Sequence, residues 1–214
     1  MQIYVSRREA ELSAAVLQAL SAAGADFRTV RWVAPLESEG FREPLDGSFL
    51  DALGLGHLRT PLQSFWPKRG PSWDALALLE PGPGILLVEG KSYPEEIFGS
   101  GCVATEPARS LISKSLEATR GWTGARVDAD WLGPLYQFAN RLAHVHFLRG
   151  AGHPTWLANV CFLNDRTTRP TTLEEWQTRL QPLKRQLGFE SGSVPHSVDV
   201  FLEAYPRSEL TSAI

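Results

Sequence analysis

The stretch WDALALLEPGPGILLVEGK, Trp73–Lys91, decides how this chain is read. Two apolar runs, Trp73 to Leu79 and Ile85 to Val88, flank Glu80-Pro81-Gly82-Pro83-Gly84. Proline and glycine supply the preset and left-handed backbone that a chain reversal needs. Each run is short and rich in Leu, Ile and Val, so the pair reads as a buried antiparallel hairpin. Its open end carries three charges: Asp74 where the first strand begins, Glu89 and Lys91 where the second ends. Residues two apart on a strand share a face, so Glu89 and Lys91 project together and Gly90 points away. A hairpin of this span sets Asp74 beside Glu89.

Charge at the ends of apolar strands is costly unless it is paired or holds a metal. Two convergent carboxylates, with the Gly90 carbonyl as a third oxygen, suit Mg²⁺ or Mn²⁺. Such an ion polarises a phosphodiester and acidifies water. Lys91 would orient that water, help deprotonate it, or stabilise developing negative charge. With four lysines and 24 acids, a chance acid-x-Lys is expected about 0.4 times per chain on composition alone. The signal therefore lies in its placement at strand ends.

Asp74, fourteen residues, then Glu89-Gly90-Lys91 after the strand ILLV resembles the PD-(D/E)XK nuclease signature, with Trp73 where that signature has proline. The resemblance covers about residues 50–165. It implies a restriction-endonuclease-like fold: a central mixed β-sheet flanked by helices, with an αβββαβ core. It also implies a nuclease hydrolysing nucleic acid, DNA ahead of RNA, with Asp74 and Glu89 on Mg²⁺ or Mn²⁺ and Lys91 on the attacking water. A homodimer is compatible with it, since nucleases that cut both strands commonly pair. The rival reading is a nuclease-like domain that no longer cuts and serves as a nucleic-acid or protein binding module.

Outward from the hairpin, the order is mixed α and β. Ile3 and Val5 alternate like a short strand, and Ser6-x-x-Glu9 forms a capping box opening a helix to about Ala23, where Gly24 stops it. Phe27–Val33 reads as a strand, 36–48 as a polar loop, Phe49–Leu55 as one or two helical turns, and the proline-rich 60–72 as an irregular or edge segment. Helical period marks 106–120 and 134–149, each opened by proline. Strands follow at Trp156–Phe162 and Val198–Leu202, around an amphipathic helix at Leu173–Leu187 that Pro182 should kink or split.

On the 134–149 helix, Leu135, Phe138, Ala139, Leu142 and His146 share one face. Gln137, Arg141 and His144 share the opposite one, a polar face suited to a cleft or to solvent; the nuclease resemblance implies that Gln137 and Arg141 support the cleft. His146 reads as a core histidine. His144 and His146, two apart on a helix, cannot share an ion; His57, His153 and His196 look isolated, and no zinc site is expected. Glu9 and Glu11 are the candidates for an extra acid. The tryptophans read mainly as core rather than as base-stacking platforms. Residues 109–149 hold six basic and three acidic side chains, a place for phosphate contacts.

The whole chain has 214 residues, 43% hydrophobic and 21% charged, with a net charge of −3. That is globular composition and one elaborated domain by length. It excludes a disordered chain, a coiled coil or a strongly basic nucleic-acid coat. Two cysteines outside any CxxC pattern give no disulfide framework. With no long apolar run and no signal-like start, the expectation is a soluble, cytoplasmic, bacterial protein without a membrane partner. No P-loop, Rossmann fingerprint or Gly-x-Ser-x-Gly elbow is present.

Overall fold

The computed structural model describes residues 1–206 and Glu209. A five-stranded mixed sheet lies between helices, in the order β1-β2-β3-β4-β5. Strands β1 (Thr29–Ala34), β2 (Ala75–Glu80) and β3 (Gly84–Lys91) form an antiparallel meander. β4 (Thr155–Leu163) and β5 (Ser197–Glu203) then add in parallel. The sheet thus draws on residues 29–203, more than the span that carries the family resemblance.

The hairpin forms where its composition places it. β2 and β3 are buried on both faces, which is why they read as continuous apolar runs rather than as alternating ones. Leu76, Ile85 and Leu87 enter one core; Ala75, Ala77, Leu79, Leu86 and Val88 enter the other. Each fully buried Leu, Ile or Val is worth about 1.5–3 kcal/mol, so the hairpin alone anchors both layers. Gly84 opens β3 against the Phe27 ring. A Cβ there would meet Phe27 Cε1 at 2.7 Å and Leu79 Cβ at 2.9 Å, so any larger residue pushes the ring away.

One face is covered by α1 (Gln2–Arg7) and α2 (Glu9–Ala22), which bury Tyr4, Val5, Leu12, Val16 and Leu20. The other carries α3 (Ser48–Ala52), α4 (Arg59–Phe65), α5 (Ala108–Thr123), α6 (Tyr136–Gly150) and α7 (Leu173–Gln186). Among the described residues no helix is long and apolar enough to cross a membrane.

Four local expectations are corrected. Ile3 and Val5 lie in helix α1, not in a strand: Tyr4 and Val5 are both buried, and the Tyr4 hydroxyl donates to the Glu203 carbonyl and accepts from the Tyr205 amide. Ser6 is inside that helix and cannot cap the next one; α2 starts at Glu9 with no side-chain cap. The 60–72 segment begins as helix α4, because Pro61 falls in its first turn, where the missing N–H is not needed. Helix α7 runs unsplit through Pro182, opened by a Thr172/Glu175 capping box.

Candidate functional site

The site is assembled at the open end of the β2–β3 hairpin. The last ladder pair is Ala75 with Val88, so Asp74 and Glu89 fall one step beyond it, opposite each other. Where the ladder would continue, the Gly90 amide donates instead to Asp74 Oδ2 at 2.7 Å. Glu89 is only 6% exposed. At that depth a carboxylate needs partners, and four donor atoms converge on it. Lys91 Nζ and Gln137 Nε2 reach Oε1, each at 2.8 Å. Arg141 reaches Oε2 with Nε at 2.8 Å and Nη2 at 2.7 Å. Gln137 is fixed from both ends, since its Oε1 accepts from Lys91 Nζ at 3.1 Å. Arg141 Nη2 also donates to the Ser72 carbonyl at 3.0 Å, and its guanidinium lies 5.0 Å from the Trp73 ring centroid.

Asp74, Glu89, Gly90, Lys91, Gln137 and Arg141, the residues singled out from sequence, therefore line one open cleft of about 460 Å³. Burial raises the Asp74 carboxyl above the ordinary carboxylate range, and the neighbouring Glu89 charge raises it further; the Gly90 N–H opposes both. Gln137 and Arg141 reach the cleft as their stripe on α6 suggests. Both are spent on Glu89 rather than left facing outward.

The stripe is also buried. Helix α6 is covered on nearly every side, and His144, one turn beyond Arg141, is 1% exposed with its ring against Phe49, Trp66 and Trp73. Burial lowers its pKa to about 4, so it is neutral at pH 7. His146, read as the core histidine, is half-buried and stacks on Trp122 at 4.8 Å. Periodicity separates the two faces of a helix but not what packs against each. His57 and His153 are not isolated either, their rings lying 6.4 Å apart.

Two acids at the cleft escaped the sequence reading. Glu43, in the 36–48 loop, contributes to the raised Asp74 pKa and accepts from Ser72 Oγ at 3.3 Å. Glu96, in a short turn after β3, lines the cleft and accepts the Ser92 amide. No local pattern marks Glu43; a Glu-Glu pair at 95–96 just after the Lys91 strand is a faint signal for the second. The acids proposed from the first helix do not line the cleft: Glu11 pairs with Arg8 and accepts from Tyr205. A polar row also extends from Glu89 through Asn159 to Asp199 across β3, β4 and β5, and Lys184 of α7 pairs with Asp199.

Five of the six basic side chains of 109–149 have partners within the protein. Arg109, Arg120 and Arg149 donate to backbone carbonyls, Arg126 pairs with Asp128 and Glu190, and Arg141 holds Glu89. Trp66, Trp73 and Trp131 are core. Cys102 and Cys161 are free thiols, Cys161 pushed well up by burial.

Among the described residues, no three or more His, Cys, Asp or Glu side chains converge closely enough to hold a metal ion by themselves. A divalent ion here would rest on the Asp74 and Glu89 carboxylates and a backbone carbonyl. The donor set is hard oxygen, and two adjacent carboxylates, one with a raised pKa, call for positive charge between them. The residues fit an ion of the Mg²⁺ class. No family model matches this chain, and no curated protein or solved structure matches it.

Proposed function

We propose that the chain is a metal-dependent phosphodiesterase of the PD-(D/E)XK kind that hydrolyses nucleic acid, DNA ahead of RNA. One observation carries the reading: Asp74, Glu89 and Lys91 line a single open cleft at the end of an otherwise apolar hairpin. The element order supports it. From α2 to β4 the chain runs helix, β1, the short helices α3 and α4, the antiparallel β2–β3 hairpin, helices, then a parallel strand beside β3; with α3 and α4 read as an insertion between β1 and β2, this follows the αβββαβ order that the resemblance implies.

Asp74, Glu89 and the Gly90 carbonyl would hold Mg²⁺ or Mn²⁺. The ion, when bound, supplies the positive charge that polarises the phosphodiester and acidifies the attacking water. Lys91 presents an ammonium fixed by Glu89 and Gln137, close enough to orient that water or to meet charge developing on the phosphate. Gln137 keeps Lys91 and Glu89 in register. Trp73, Phe49 and His144 form an aromatic floor beneath Arg141.

The saturation of Glu89 by four donors favours a second reading, a nuclease-like domain that binds without cutting. Labelled single-stranded DNA, duplex DNA and RNA, incubated with Mg²⁺ or Mn²⁺ and with chelator, separate the two. Cleavage that requires the ion and vanishes in Asp74→Ala is the expected result. Retained binding with no cleavage of any substrate would move the chain to the second reading.

A further inference from the structure

Glu89 has two carboxylate oxygens, and they are used differently. Oε1 faces Lys91 and Gln137, which also hold each other. Oε2 faces Arg141 alone, through both Nε and Nη2. The same Nη2 donates to the carbonyl of Ser72, two residues before Asp74. The guanidinium therefore spans the gap between Glu89 and the segment that carries Asp74. A cation shared by these two carboxylates would use the Glu89 oxygen on that side, the one Arg141 now covers.

We propose that Arg141 is a latch: its guanidinium stands in for the metal ion on Glu89 Oε2, and it exchanges that oxygen for a substrate phosphate as the ion enters. The inference rests on the nuclease reading and adds to it an order of events. Three observations support an arginine that moves rather than one that only props the site. Its hold on Glu89 is charge-assisted but falls on a single oxygen, whereas a phosphate would offer the guanidinium fork two. Its hold on the backbone is a single carbonyl. The Trp73 face lies 5.0 Å from Cζ, so a guanidinium that leaves Glu89 keeps a cation–π contact while it turns toward the cleft. A metal ion and the arginine compete for one oxygen, while the phosphate and the ion share the benefit of the arginine's departure. Metal and phosphate binding must then reinforce each other, by the same factor in both directions.

The sign of one mutation separates a latch from a prop. Mn²⁺ alone is titrated into the wild-type chain, Arg141→Gln and Asp74→Ala, with free Mn²⁺ counted by electron paramagnetic resonance. The titrations are repeated with a short phosphorothioate-linked single-stranded oligothymidine present. Arg141→Gln is expected to bind Mn²⁺ at least about tenfold more tightly than wild type, within the usual range of linkage. The oligonucleotide is expected to tighten Mn²⁺ binding to wild type about 5- to 150-fold, and to do little in Arg141→Gln. Asp74→Ala should abolish the site in every case. Equal or weaker Mn²⁺ binding by Arg141→Gln, with Asp74-dependent binding intact in wild type, overturns the latch and leaves the metal reading standing. Absence of any Asp74-dependent Mn²⁺ binding overturns both. Should Arg141→Gln not fold, wild type decides alone: Mn²⁺ affinity indifferent to the oligonucleotide overturns the latch.

Discussion

Two carboxylate–lysine pairs stand in one row across the sheet, Glu89 with Lys91 on β3 and Asp199 with Lys184 two strands away. At the usual strand spacing they lie about 10 Å apart. They are alike in burial, with side-chain exposures of 8–15%. They differ in what stands next to them. Glu89 faces an open cleft with Asp74, a second carboxylate, beside it. Asp199 has Asn159, a neutral amide, which donates to it at 3.3 Å. A buried acid whose neighbour is an amide has its charge matched by one lysine. A buried acid whose neighbour is another acid needs further positive charge, and at Glu89 that need is met by Arg141. The difference teaches that a buried ion pair alone says little about function; an excess of like charge opening onto solvent says more.

The sharpest way to break the comparison is to remove each lysine and follow cleavage. Lys91→Ala is expected to lower the rate by about 10²–10⁴, the scale for a group acting on the water or the developing charge. Lys184→Met, corrected for folded fraction, should leave it within about threefold, under ~1 kcal/mol of barrier. Rate constants under single-turnover conditions, with a melt of each variant alongside, make the measurement. Equal losses at both positions would mean that the row works as one unit and that the distinction drawn between the pairs is wrong.

Stability should reverse the ranking. Lys184→Met strands a buried Asp199 with only neutral partners, and breaking such a pair costs about 3 kcal/mol or more. For a chain of this size that is roughly 6–12 °C in melting temperature. Replacing both, Lys184→Met with Asp199→Leu, should recover most of the loss, because an apolar pair of similar volume needs no counter-charge. Lys91→Ala leaves Glu89 still paired with Arg141 and hydrogen-bonded to Gln137, so its cost should be the smaller of the two. Chemical denaturation of the three variants orders them. A Lys91→Ala variant less stable than Lys184→Met would show that Arg141 does not compensate Glu89.

The two pairs also differ in how legible they are. Glu89 and Lys91 sit two apart on one strand, so alternation alone puts them on one face, and the Pro/Gly turn brings Asp74 to the same end. Asp199 and Lys184 belong to a strand and a helix, and neither periodicity relates them. The same limit explains α6. Its 3.6-residue period puts Gln137, Arg141 and His144 on a common stripe, but a polar stripe reads as solvated until the aromatic wall of Phe49, Trp66 and Trp73 is in place. Phe49 comes from a short helix, Trp66 from the proline-rich stretch that begins as helix and Trp73 from the start of the hairpin run, and no single period relates the three. Glu43 is hidden for a similar reason: it reaches Asp74 from a loop whose path is set by backbone bonds such as the Trp73 amide to the Pro44 carbonyl, which no local pattern encodes.

The smallest expected effect tests the excess of negative charge directly. Asp74 has its carboxyl raised above 3.8, by burial first and by Glu89 second. A carboxyl that holds its proton more tightly in the fold than in the unfolded chain weakens the fold as pH rises: no penalty exists below the unfolded value, and the full penalty exists above the folded one. Asp74→Asn removes that penalty while keeping an oxygen to accept the Gly90 amide. In metal-free buffer at pH 7 it should melt higher than wild type, by about 1 kcal/mol or 2–4 °C. The gain should shrink as pH falls through the raised folded-state value, where the wild-type carboxyl takes up its proton. Several millimolar Mn²⁺ should then reverse the order, since an ion that binds only the folded wild type stabilises it by RT ln(1 + [L]/Kd). The equivalent change at the other pair, Asp199→Asn, leaves Lys184 without its acid and should lower the melting temperature with or without the ion. Melts of both variants at three pH values, with and without Mn²⁺, check all of these signs. An Asp74→Asn variant that melts lower than wild type in metal-free buffer would show that Glu89 and Asp74 are already in balance, and the contrast between the two pairs would lose its physical basis.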